Sequence, residues 1–370
     1  MNYELKRQNS GAFALYNKEL RETMHPKRGP WQEANLLYID AGRFSPMLAD
    51  GPLESPLVIF DVGLGGAANA LAAIQSRENR LRHGLPCRPL RLVSFENDLA
   101  PLIVTLEQAE ALEYPVGSEL ALEALLNHGE WQKAGVSWSL RLGDFKNLIH
   151  EETERAELIF FDPFSPRTNP EMWNQTTLEG VYRCRKPGGP TRLITYSTAY
   201  GVRASMLLAG FYVGDCRLPD GTMGGTEASV YPSDLANPLT PRWLSRWSHD
   251  RQPWPPMSLP NKYPQLRRAL QEHPQWSQFA SSDIALSKSD LVSEDSGRHR
   301  RPSAPRTTNQ RPSRSLSRPG TLEPRQRRDP DGKPLATTPH PKPNTLKQRS
   351  QKKRKGARKP GRKTSQDRNR

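Results

Sequence analysis

Short apolar runs alternate with helical patterns along residues 56–231, and this alternation constrains the fold more than any other feature of the chain. The apolar runs that have the length of strands are residues 57–61, 90–95, 136–142, 158–161, 192–196, 211–213 and 227–231. Strands that alternate with helices are typical of α/β proteins, in which helices cover both faces of a mostly parallel sheet. We therefore predict a seven-stranded, mostly parallel sheet.

The net charge of +15 comes entirely from the end of the chain. Residues 298–370 contain 24 Lys and Arg against 4 Asp and Glu, whereas residues 1–297 contain 30 against 35. This tail has too few apolar residues to offset the entropy cost of ordering, so we predict that it is disordered. Such a tail either binds a polyanion such as nucleic acid or only keeps the protein in solution.

The same composition change divides the chain. The predicted parts are an N-terminal β addition at residues 1–50, the α/β domain at 51–235, a Pro- and Trp-rich extension at 236–297 and the basic tail at 298–370.

The cysteines and the N-terminus exclude several classes of protein. Cys87, Cys184 and Cys216 are widely spaced and form no CxxC pair, so neither a disulfide framework nor a zinc site is expected. The first ten residues lack the apolar core of a signal peptide, and no stretch approaches the ~20 apolar residues that span a membrane. We expect a reduced, cytosolic protein without a metal or a membrane anchor.

Glycines and acidic residues stand where three of the predicted strands end. The first strand runs into Gly63, Gly65 and Gly66 just before a helix, where backbone N–H groups favour a polar or anionic ligand. The second strand ends at Glu96, a position suited to ribose hydroxyls, and the third at Asp144, which suits an adenine amino group. Because parallel strands share their carboxyl edge, the pattern predicts a nucleoside-type cofactor at that edge.

The fourth strand delivers Asp162 to the same edge of the sheet. Pro163 and Pro166 follow it and stiffen the loop. The sequence Asp-Pro-Phe at 162–164 is similar to the Asp/Asn-Pro-Pro-aromatic signature of amino-methylating enzymes, and this resemblance implies that the carboxylate orients an amine through a hydrogen bond and helps to remove its proton. An acid before a proline is also a common turn former, so this motif alone leaves both interpretations open.

Several stretches of the chain resemble the tRNA 5-methylaminomethyl-2-thiouridine methyltransferase family, the methyltransferase domain of MnmC. FDPFSPRTNPEMW at residues 161–173 is similar to that family's D-G-F-A-P-x-x-N-P-x-M-W segment. Further similar stretches are DVGLGGAAN at 61–69, FEND at 95–98, LRLGD at 140–144 and TYSTAYGVRASMLLAGFYV at 195–213. The P-G-G at 187–189, before the fifth strand, is typical of S-adenosyl-L-methionine (SAM) methyltransferases in general. The resemblance covers residues 22–231 and implies a Rossmann-like class I methyltransferase that depends on SAM.

The resemblance also implies a reaction and a set of site residues. The reaction is N-methylation of 5-aminomethyl(-2-thio)uridine to 5-methylaminomethyl(-2-thio)uridine at the tRNA wobble position, with tRNA as the partner and Asp162 as the catalytic residue. The implied cofactor-binding residues are Asp61, Gly63, Gly65, Gly66, Asn69, Glu96, Asp144 and Asp162. The implied substrate-binding residues are Pro163, Phe164, Arg167 and Arg203, with Phe164 stacking on the uracil ring unless it is an ordinary buried aromatic, and the arginines holding phosphates.

The chain departs from the family pattern at Ala67, where a third glycine is expected, and at Pro163 and Ser165, which replace glycine and alanine. The last two changes bear on the substrate pocket. The family's bifunctional members continue into a flavin-dependent oxidoreductase domain, whereas here the basic tail follows. Only the methyl-transfer half is therefore implied, and a separate enzyme would form the aminomethyl group.

Two other functions fit the same patterns. One is a different SAM-dependent N-methyltransferase, acting on DNA, rRNA or protein, or an aminopropyltransferase of the spermidine-synthase type. The other is a non-enzymatic nucleic-acid-binding protein that acts through its basic tail, which the intact strand-end residues argue against.

The N-terminal region offers fewer signals. Residues 34–39 form the first apolar run and predict a strand of the β addition. His25 and Glu33 are candidates for the wall of the pocket, although a single His or Glu beside a turn is more often only solvated.

Overall fold

The computed structural model describes residues 2–25, 28–247 and 255–279. The predicted disordered tail at 298–370 lies outside these residues, as does most of the second half of the extension. Among the described residues, no helix combines the length and the apolar character needed to cross a bilayer.

The strands form two separate sheets. A small antiparallel sheet has the order β1-β2-β3, and a large mixed sheet has the order β10-β11-β9-β8-β4-β5-β7-β6. The strands are β1 (Tyr3–Arg7), β2 (Phe13–Asn17), β3 (Glu22–Thr23), β4 (Leu57–Val62), β5 (Leu90–Glu96), β6 (Glu130–Lys133), β7 (Val136–Leu142), β8 (Leu158–Phe161), β9 (Arg192–Thr195), β10 (Tyr212–Arg217) and β11 (Met223–Ser229).

The helices follow the predicted alternation. They are α1 (Pro30–Glu33), a π-helix (Ala34–Ala41), α2 (Phe44–Met47), α3 (Ala68–Arg82), α4 (Ala100–Glu107), α5 (Glu119–His128), α6 (Phe145–Glu151), α7 (Gln175–Arg183), α8 (Tyr200–Leu208), α9 (Pro241–Trp247) and α10 (Tyr263–Gln271), with short 3₁₀ turns at Pro170–Trp173, Pro232–Asp234, Pro260–Lys262 and Pro274–Gln278. The prediction of an α/β fold with a mostly parallel sheet is confirmed.

The five central strands, β9, β8, β4, β5 and β7, are parallel, and they place the site. The chain begins the sheet at β4, moves outward to β5 and β7, and then returns to the other side of β4 with β8. The strand order thus reverses between β4 and β8. In open α/β sheets, ligands bind at the carboxyl ends of the strands beside such a reversal.

The large sheet has one strand more than we predicted. The additional strand, β6, pairs antiparallel with β7 at the sheet edge. Its sequence, EWQK, is exposed at three of four positions, so it carries no buried apolar run that could mark it as a strand. Strand β11 also begins earlier than predicted, and its first residues include two glycines, which form no apolar run.

Strands β1, β2 and β3 lie within the N-terminal region, but the apolar run at 34–39 does not contribute a strand to it. The strand prediction for residues 34–39 is wrong, since these residues belong to the π-helix, whose residues Leu37, Tyr38 and Ile39 are buried. Pro30 opens α1 directly before it, a favoured position for proline. A short apolar run that is buried on all sides cannot be assigned to strand or helix from periodicity alone.

The described part of the extension packs on the sheet edge at β10. The Gln275 side chain accepts a hydrogen bond from the Val213 amide at 2.7 Å and donates to the carbonyl groups of Val213 and Leu239 at 2.8 and 2.9 Å. Trp243 on α9 is buried and stacks on Tyr200, with ring centroids 5.3 Å apart. These contacts cover an edge strand that would otherwise expose unpaired backbone groups.

Candidate active site

A cavity of about 770 Å³ opens at the carboxyl ends of the central strands. This volume is within the range of small-molecule sites in proteins, about 300–1,000 Å³. The sequence-predicted residues that line it are Gly63, Gly65, Asn69, Glu96, Asp144, Asp162, Pro163, Phe164 and Arg167. Strand ends that are up to a hundred residues apart in sequence therefore meet around one space.

The glycine turn after β4 lies directly against the loop that follows β8. Gly63 has a φ of +84°, and a Cβ atom there would lie 2.8 Å from the carbonyl oxygen of Asp162. Hydrogen bonds to β5 hold the turn in place, because the amides of Gly63 and Leu64 donate to the Phe95 carbonyl at 3.1 and 3.3 Å. A side chain at position 63 would thus separate two loops that form the cavity wall.

Glu96 is fixed at the end of β5 by backbone amides. Its Oε2 accepts a hydrogen bond from the Gly65 amide at 2.9 Å, and its Oε1 accepts from the Asn97 and Asp98 amides at 2.8 and 3.1 Å. Burial raises the pKa of Glu96 above its usual value, while these amides act in the opposite direction. A carboxylate has about four acceptor sites, so Glu96 keeps capacity for hydroxyl groups in the cavity.

Asp162 lies where β4 and β8 meet, and it is held on two sides. Its amide donates to the Val62 carbonyl at 2.9 Å, and its Oδ2 accepts a hydrogen bond from the Asn69 side chain at 2.9 Å. Burial raises the pKa of Asp162 to about 6, against the effect of the nearby His25. The carboxylate is therefore costly to ionise and is favoured by a positive charge beside it.

His25 and Glu33 face Asp162 from the N-terminal region. The His25 Nδ1 atom lies 3.1 Å from Glu33 Oε1, and its Nε2 atom lies 4.0 Å from Asp162 Oδ2. Burial lowers the pKa of His25, but the Glu33 hydrogen bond and the Asp162 charge outweigh it and raise the pKa to about 9. Below them, burial and the Asp162 charge raise the pKa of Tyr38 well above its usual value.

The loop after Asp162 is tied to three elements. The Pro163 carbonyl accepts a hydrogen bond from the Tyr196 hydroxyl at 2.9 Å, and the Phe164 carbonyl accepts one from the Trp173 indole at 2.8 Å. Glu22, in β3, accepts hydrogen bonds from the Ser165 amide and hydroxyl, both at 3.0 Å, and from the Thr168 hydroxyl. The short strand β3 thus holds this loop in place through the Glu22 side chain.

Phe164 lines the cavity and packs at the same time, half-buried, against an apolar cluster of Tyr3, Leu15 and Val104. At the outer rim, Asp144 caps α6 by accepting a hydrogen bond from the Lys146 amide at 3.0 Å, and the Lys146 ammonium pairs with Glu171. The Arg167 side chain is exposed there.

Two cofactor-binding predictions, Asp61 and Gly66, are corrected by the structure. Asp61 does not reach the cavity; it is 1% exposed and accepts a hydrogen bond from the Ser94 hydroxyl at 2.8 Å. Gly66 faces the core, where a Cβ atom would lie 2.7 Å from the Thr105 hydroxyl and 3.1 Å from the Tyr114 hydroxyl. Asp61 and Gly66 therefore pack on the core side of the glycine turn and do not face the cavity.

Arg203 is also placed differently from the prediction that it holds a phosphate. It is 5% exposed and forms an ion pair with Asp215 at 2.9 Å. The same guanidinium donates to the Thr226 hydroxyl at 2.9 Å and to the Gly225 carbonyl at 3.3 Å. All its charge is used inside the fold between α8, β10 and β11, so no phosphate can reach it.

Sequence reasoning missed several residues of the cavity wall, namely Tyr3, Met24, Arg28, Lys146, Glu171 and Tyr196. Tyr3, Met24 and Arg28 lie in the N-terminal region, whose sequence shows no motif that would connect it to the strand ends. The T-Y pair at 195–196 stands within a stretch that resembles the family, which is the one signal that could have indicated Tyr196.

The residues present fit a nucleoside cofactor with an amino acid portion. The buried Asn69 Oδ1 atom has no hydrogen-bond partner in the described ranges, although Asn69 lies on the cavity wall, so it can accept one from a ligand. The first amides of α3 have no partners within the helix and favour a carboxylate. Glu96 and Asp144 offer acceptors on the other side of the turn.

A family model described as S-adenosyl-L-methionine-dependent methyltransferase matches residues 108–228 of the chain. This match includes Asp144 and the Asp162 loop. Together with the sheet and the cavity, it defines a Rossmann-like methyltransferase whose cofactor is SAM.

The chain is also similar to tRNA 5-methylaminomethyl-2-thiouridine biosynthesis bifunctional proteins MnmC. The protein of Paracidovorax citrulli is 29% identical over 168 residues, which is 42% of this chain and 25% of the relative. That of Cupriavidus necator is 28% identical over 244 residues, 62% of this chain and 36% of the relative. The chain therefore spans about a third or less of the length of these relatives.

Among solved structures, MnmC2 from Aquifex aeolicus matches with a TM-score of 0.50 and 23% identity, covering 78% of this chain and 84% of that one. At this identity the match shows a shared fold. The sequence matches and this shared fold make the α/β domain similar to the methyltransferase part of MnmC.

Proposed function

We propose that this protein methylates the primary amine of 5-aminomethyl(-2-thio)uridine at the wobble position of tRNA, giving 5-methylaminomethyl(-2-thio)uridine. The curated relatives are named for the biosynthesis of this nucleoside, which supports the choice of substrate. A tRNA substrate places the enzyme in the cytoplasm.

The observation that carries the proposal is the anionic corner of the cavity at Asp162. Two carboxylates, Asp162 and Glu33, lie on either side of the His25 imidazole, at 4.0 and 3.1 Å. Burial makes an uncompensated carboxylate unfavourable there, so the corner favours a cationic group such as an alkylammonium. Such a corner beside the cofactor can bind the amine group of a substrate.

The residues divide between cofactor and substrate. Gly63 and Gly65 would let the cofactor approach the turn, Asn69 would face its amino acid portion, Glu96 its ribose hydroxyls and Asp144 its adenine amino group. The bound cofactor supplies an electrophilic methyl carbon on a sulfonium.

On the substrate side, Asp162 accepts a hydrogen bond from the amine and holds its lone pair in line with that carbon. Positioning of this kind can supply most of the acceleration of a methyl transfer. Pro163 and Phe164 would form the wall against the uracil ring, and the exposed Arg167 would hold a phosphate. The basic tail, which lies outside the described residues, would add phosphate contacts along the tRNA.

The proposal is tested with purified protein, SAM and tRNA that carries 5-aminomethyl-2-thiouridine. Nucleoside mass spectrometry should show conversion to the methylaminomethyl form. Binding of SAM without any conversion of this nucleoside would rule out the proposed substrate.

Asp162→Asn tests the residue that carries the proposal. It keeps the volume and one acceptor oxygen, so SAM affinity should change little while turnover falls by about 10²–10⁴-fold. Asp50→Asn, at an exposed position outside the cavity, is the matched control and should behave as the unchanged enzyme. Equal turnover of the two variants would contradict the role of Asp162.

A further inference from the structure

The contacts of His25 are not explained by the proposed role of Asp162, which is to position the substrate's amine. The Nδ1 atom of His25 is held by Glu33 at 3.1 Å, so the neutral ring carries its hydrogen on Nδ1 and presents the lone pair of Nε2. Nε2 lies 4.0 Å from Asp162 Oδ2, too far for a direct hydrogen bond. In the described ranges, Nε2 has no hydrogen-bond partner.

The gap between these two atoms has the size of a nitrogen site. An amine nitrogen can lie within about 3 Å of both His25 Nε2 and Asp162 Oδ2, because the atoms are 4.0 Å apart. One of its hydrogens would then point at the carboxylate and another at the imidazole. The cavity reaches this gap, since His25, Glu33 and Asp162 all line it.

The backbone of His25 is also unusual. Its φ is +53°, in the left-handed region that residues with a Cβ rarely adopt. Such conformations persist where the surrounding structure fixes them, and they cluster at functional sites. Here the left-handed residue directs an imidazole into the cavity wall.

We propose that His25, oriented by Glu33, is the base that takes the proton from the substrate's ammonium group, while Asp162 holds the same nitrogen in line for transfer. This inference rests on the proposed function. His25 Nε2 takes one proton from the ammonium, leaving a neutral amine. The amine lone pair then forms the nitrogen–carbon bond as the carbon–sulfur bond breaks, and the electron pair of that bond stays on sulfur.

Before the ligands bind, His25 is an imidazolium and balances the two carboxylates. The charged and titratable groups facing this corner are Glu33 on α1, Asp162 after β8, Tyr38 on the π-helix, Tyr196 after β9, and Glu22 and Arg28 in the cavity wall. Burial lowers the pKa of His25, but the Glu33 hydrogen bond and the charges of Asp162 and Glu33 outweigh it and raise the pKa to about 9. His25 loses this proton when a sulfonium and an ammonium bind beside it, because both replace its positive charge, and it is then neutral and able to act as a base.

The first experiment measures protons rather than turnover. SAM is titrated into the protein at pH 8 in buffers of different ionisation enthalpy, with S-adenosylhomocysteine, which lacks the sulfonium charge, as the comparison ligand. The unchanged protein should release on the order of half a proton more with SAM than with S-adenosylhomocysteine. The variant His25→Asn should show no such difference.

Asn is the replacement for His25 that best preserves the local backbone. Asn adopts left-handed backbone conformations more readily than most residues, and its side-chain amide can still donate toward Glu33, so the variant removes Nε2 while keeping the local structure. His83→Asn, at an exposed histidine at the end of α3, is the matched control and should keep the proton release of the unchanged protein. An identical release in His25→Asn would overturn the proposal.

The second experiment follows turnover against pH. His25→Asn should lower the rate by about 10²–10⁴-fold at pH 7.5 with SAM affinity retained, and its rate should keep rising with pH as more of the amine is already neutral. Glu33→Gln keeps a hydrogen-bonding group beside Nδ1 but removes its charge, and it should lower both the rate and the proton release by a smaller factor. A rate and pH profile for His25→Asn equal to those of the unchanged enzyme would overturn the role of His25.

The two experiments separate this inference from the proposed function. Proton release needs no tRNA, so it reports on His25 even if another amine is the substrate. Conversion of aminomethyluridine at full rate by His25→Asn would instead uphold the proposed function and refute the base.

Discussion

Gly63→Ala is the substitution whose effect the structure specifies most fully. A Cβ at this position would lie 2.8 Å from the Asp162 carbonyl oxygen, 3.0 Å from its carbon and 3.1 Å from the Pro163 Cα. All three atoms are backbone, so no side chain can turn away. Gly84 offers a matched control, since it also has a positive φ, +67°, and a Cβ there would meet nothing within 4 Å.

The magnitudes separate the two variants. A left-handed backbone costs a residue with a Cβ about 1–2 kcal/mol, and the loss of glycine's freedom in the unfolded chain returns about 0.4–1 kcal/mol. Gly84→Ala should therefore lower the free energy of unfolding by roughly 1 kcal/mol. Gly63→Ala has the same cost and must also shift the Asp162 backbone, which threatens the hydrogen bond from its amide to Val62, worth about 1 kcal/mol. For Gly63→Ala we therefore expect the free energy of unfolding to fall by about 2 kcal/mol.

The functional effect should be larger than the effect on stability. A shift of the Asp162 loop by a few tenths of an ångström moves a carboxylate that has to align a reacting amine, and misplacements near 1 Å cost about 10²-fold in rate. Turnover by Gly63→Ala should fall about 10–10²-fold at a temperature where the variant is still folded, and SAM affinity should fall with it.

Urea unfolding, calorimetric titration of SAM and nucleoside mass spectrometry check these expectations. If Gly63→Ala has the stability, SAM affinity and turnover of Gly84→Ala, the close approach of the two loops does not constrain the site, and the reasoning is refuted.

Three further predictions concern the surroundings of the site. Burial raises the pKa of Asp61 from 3.8 to about 7, so ionisation of this carboxyl opposes folding and the free energy of unfolding should fall as the pH rises from about 4 through 7. Asp61→Asn should remove that fall, which is worth at most about 4 kcal/mol. Thermal unfolding measured against pH checks this expectation. Arg203→Met should destabilise the fold by about 2–4 kcal/mol, because Asp215 loses a buried partner, while the tRNA affinity of the folded protein should stay the same. Weaker tRNA binding without loss of stability would instead support a contact between Arg203 and a phosphate. Deletion of residues 298–370 should weaken tRNA binding and flatten its dependence on salt, and an unchanged slope would make the tail a solubility device only.

The sequence identifies the parts of the site that local patterns mark. Gly63, Glu96 and Asp162 each follow a short apolar run, and parallel strands bring the ends of such runs to one edge. The positions of β4 and β8 next to each other follow from the reversal of strand order that α/β sheets commonly share. These regularities are local or topological, so a single sequence carries them.

The local sequence does not indicate which way a side chain points. Asp61 and Gly63 are two residues apart on the same motif, yet Asp61 points into the core and Gly63 lines the cavity. In β4 both faces of the strand are buried, so the alternation of polar and apolar residues that would show direction is missing. Arg203 poses the same difficulty, because its partner Asp215 lies on another element and a partner of this kind leaves no pattern near the arginine.

The N-terminal region could not be assigned for a different reason. Its residues reach the site through contacts across more than a hundred positions, such as Glu22 with Ser165 and His25 with Asp162. Nothing near residues 22–33 indicates these distant partners. The apolar run at 34–39 even favoured the wrong element there.

Glu22 and His25 nevertheless lie on one short stretch, and this links the position of the loop to the position of the imidazole. Glu22 accepts hydrogen bonds from the Ser165 amide and hydroxyl, while His25, three residues later, faces Asp162. The segment at residues 22–25 therefore holds the loop at Ser165 and places the imidazole opposite the carboxylate at its start. A site that needs two groups about 4 Å apart is thereby held by the N-terminal segment as well as by the sheet. A Gly-rich turn and an acid at a strand end, which many α/β proteins share, therefore do not by themselves define the proposed amine-methylating site.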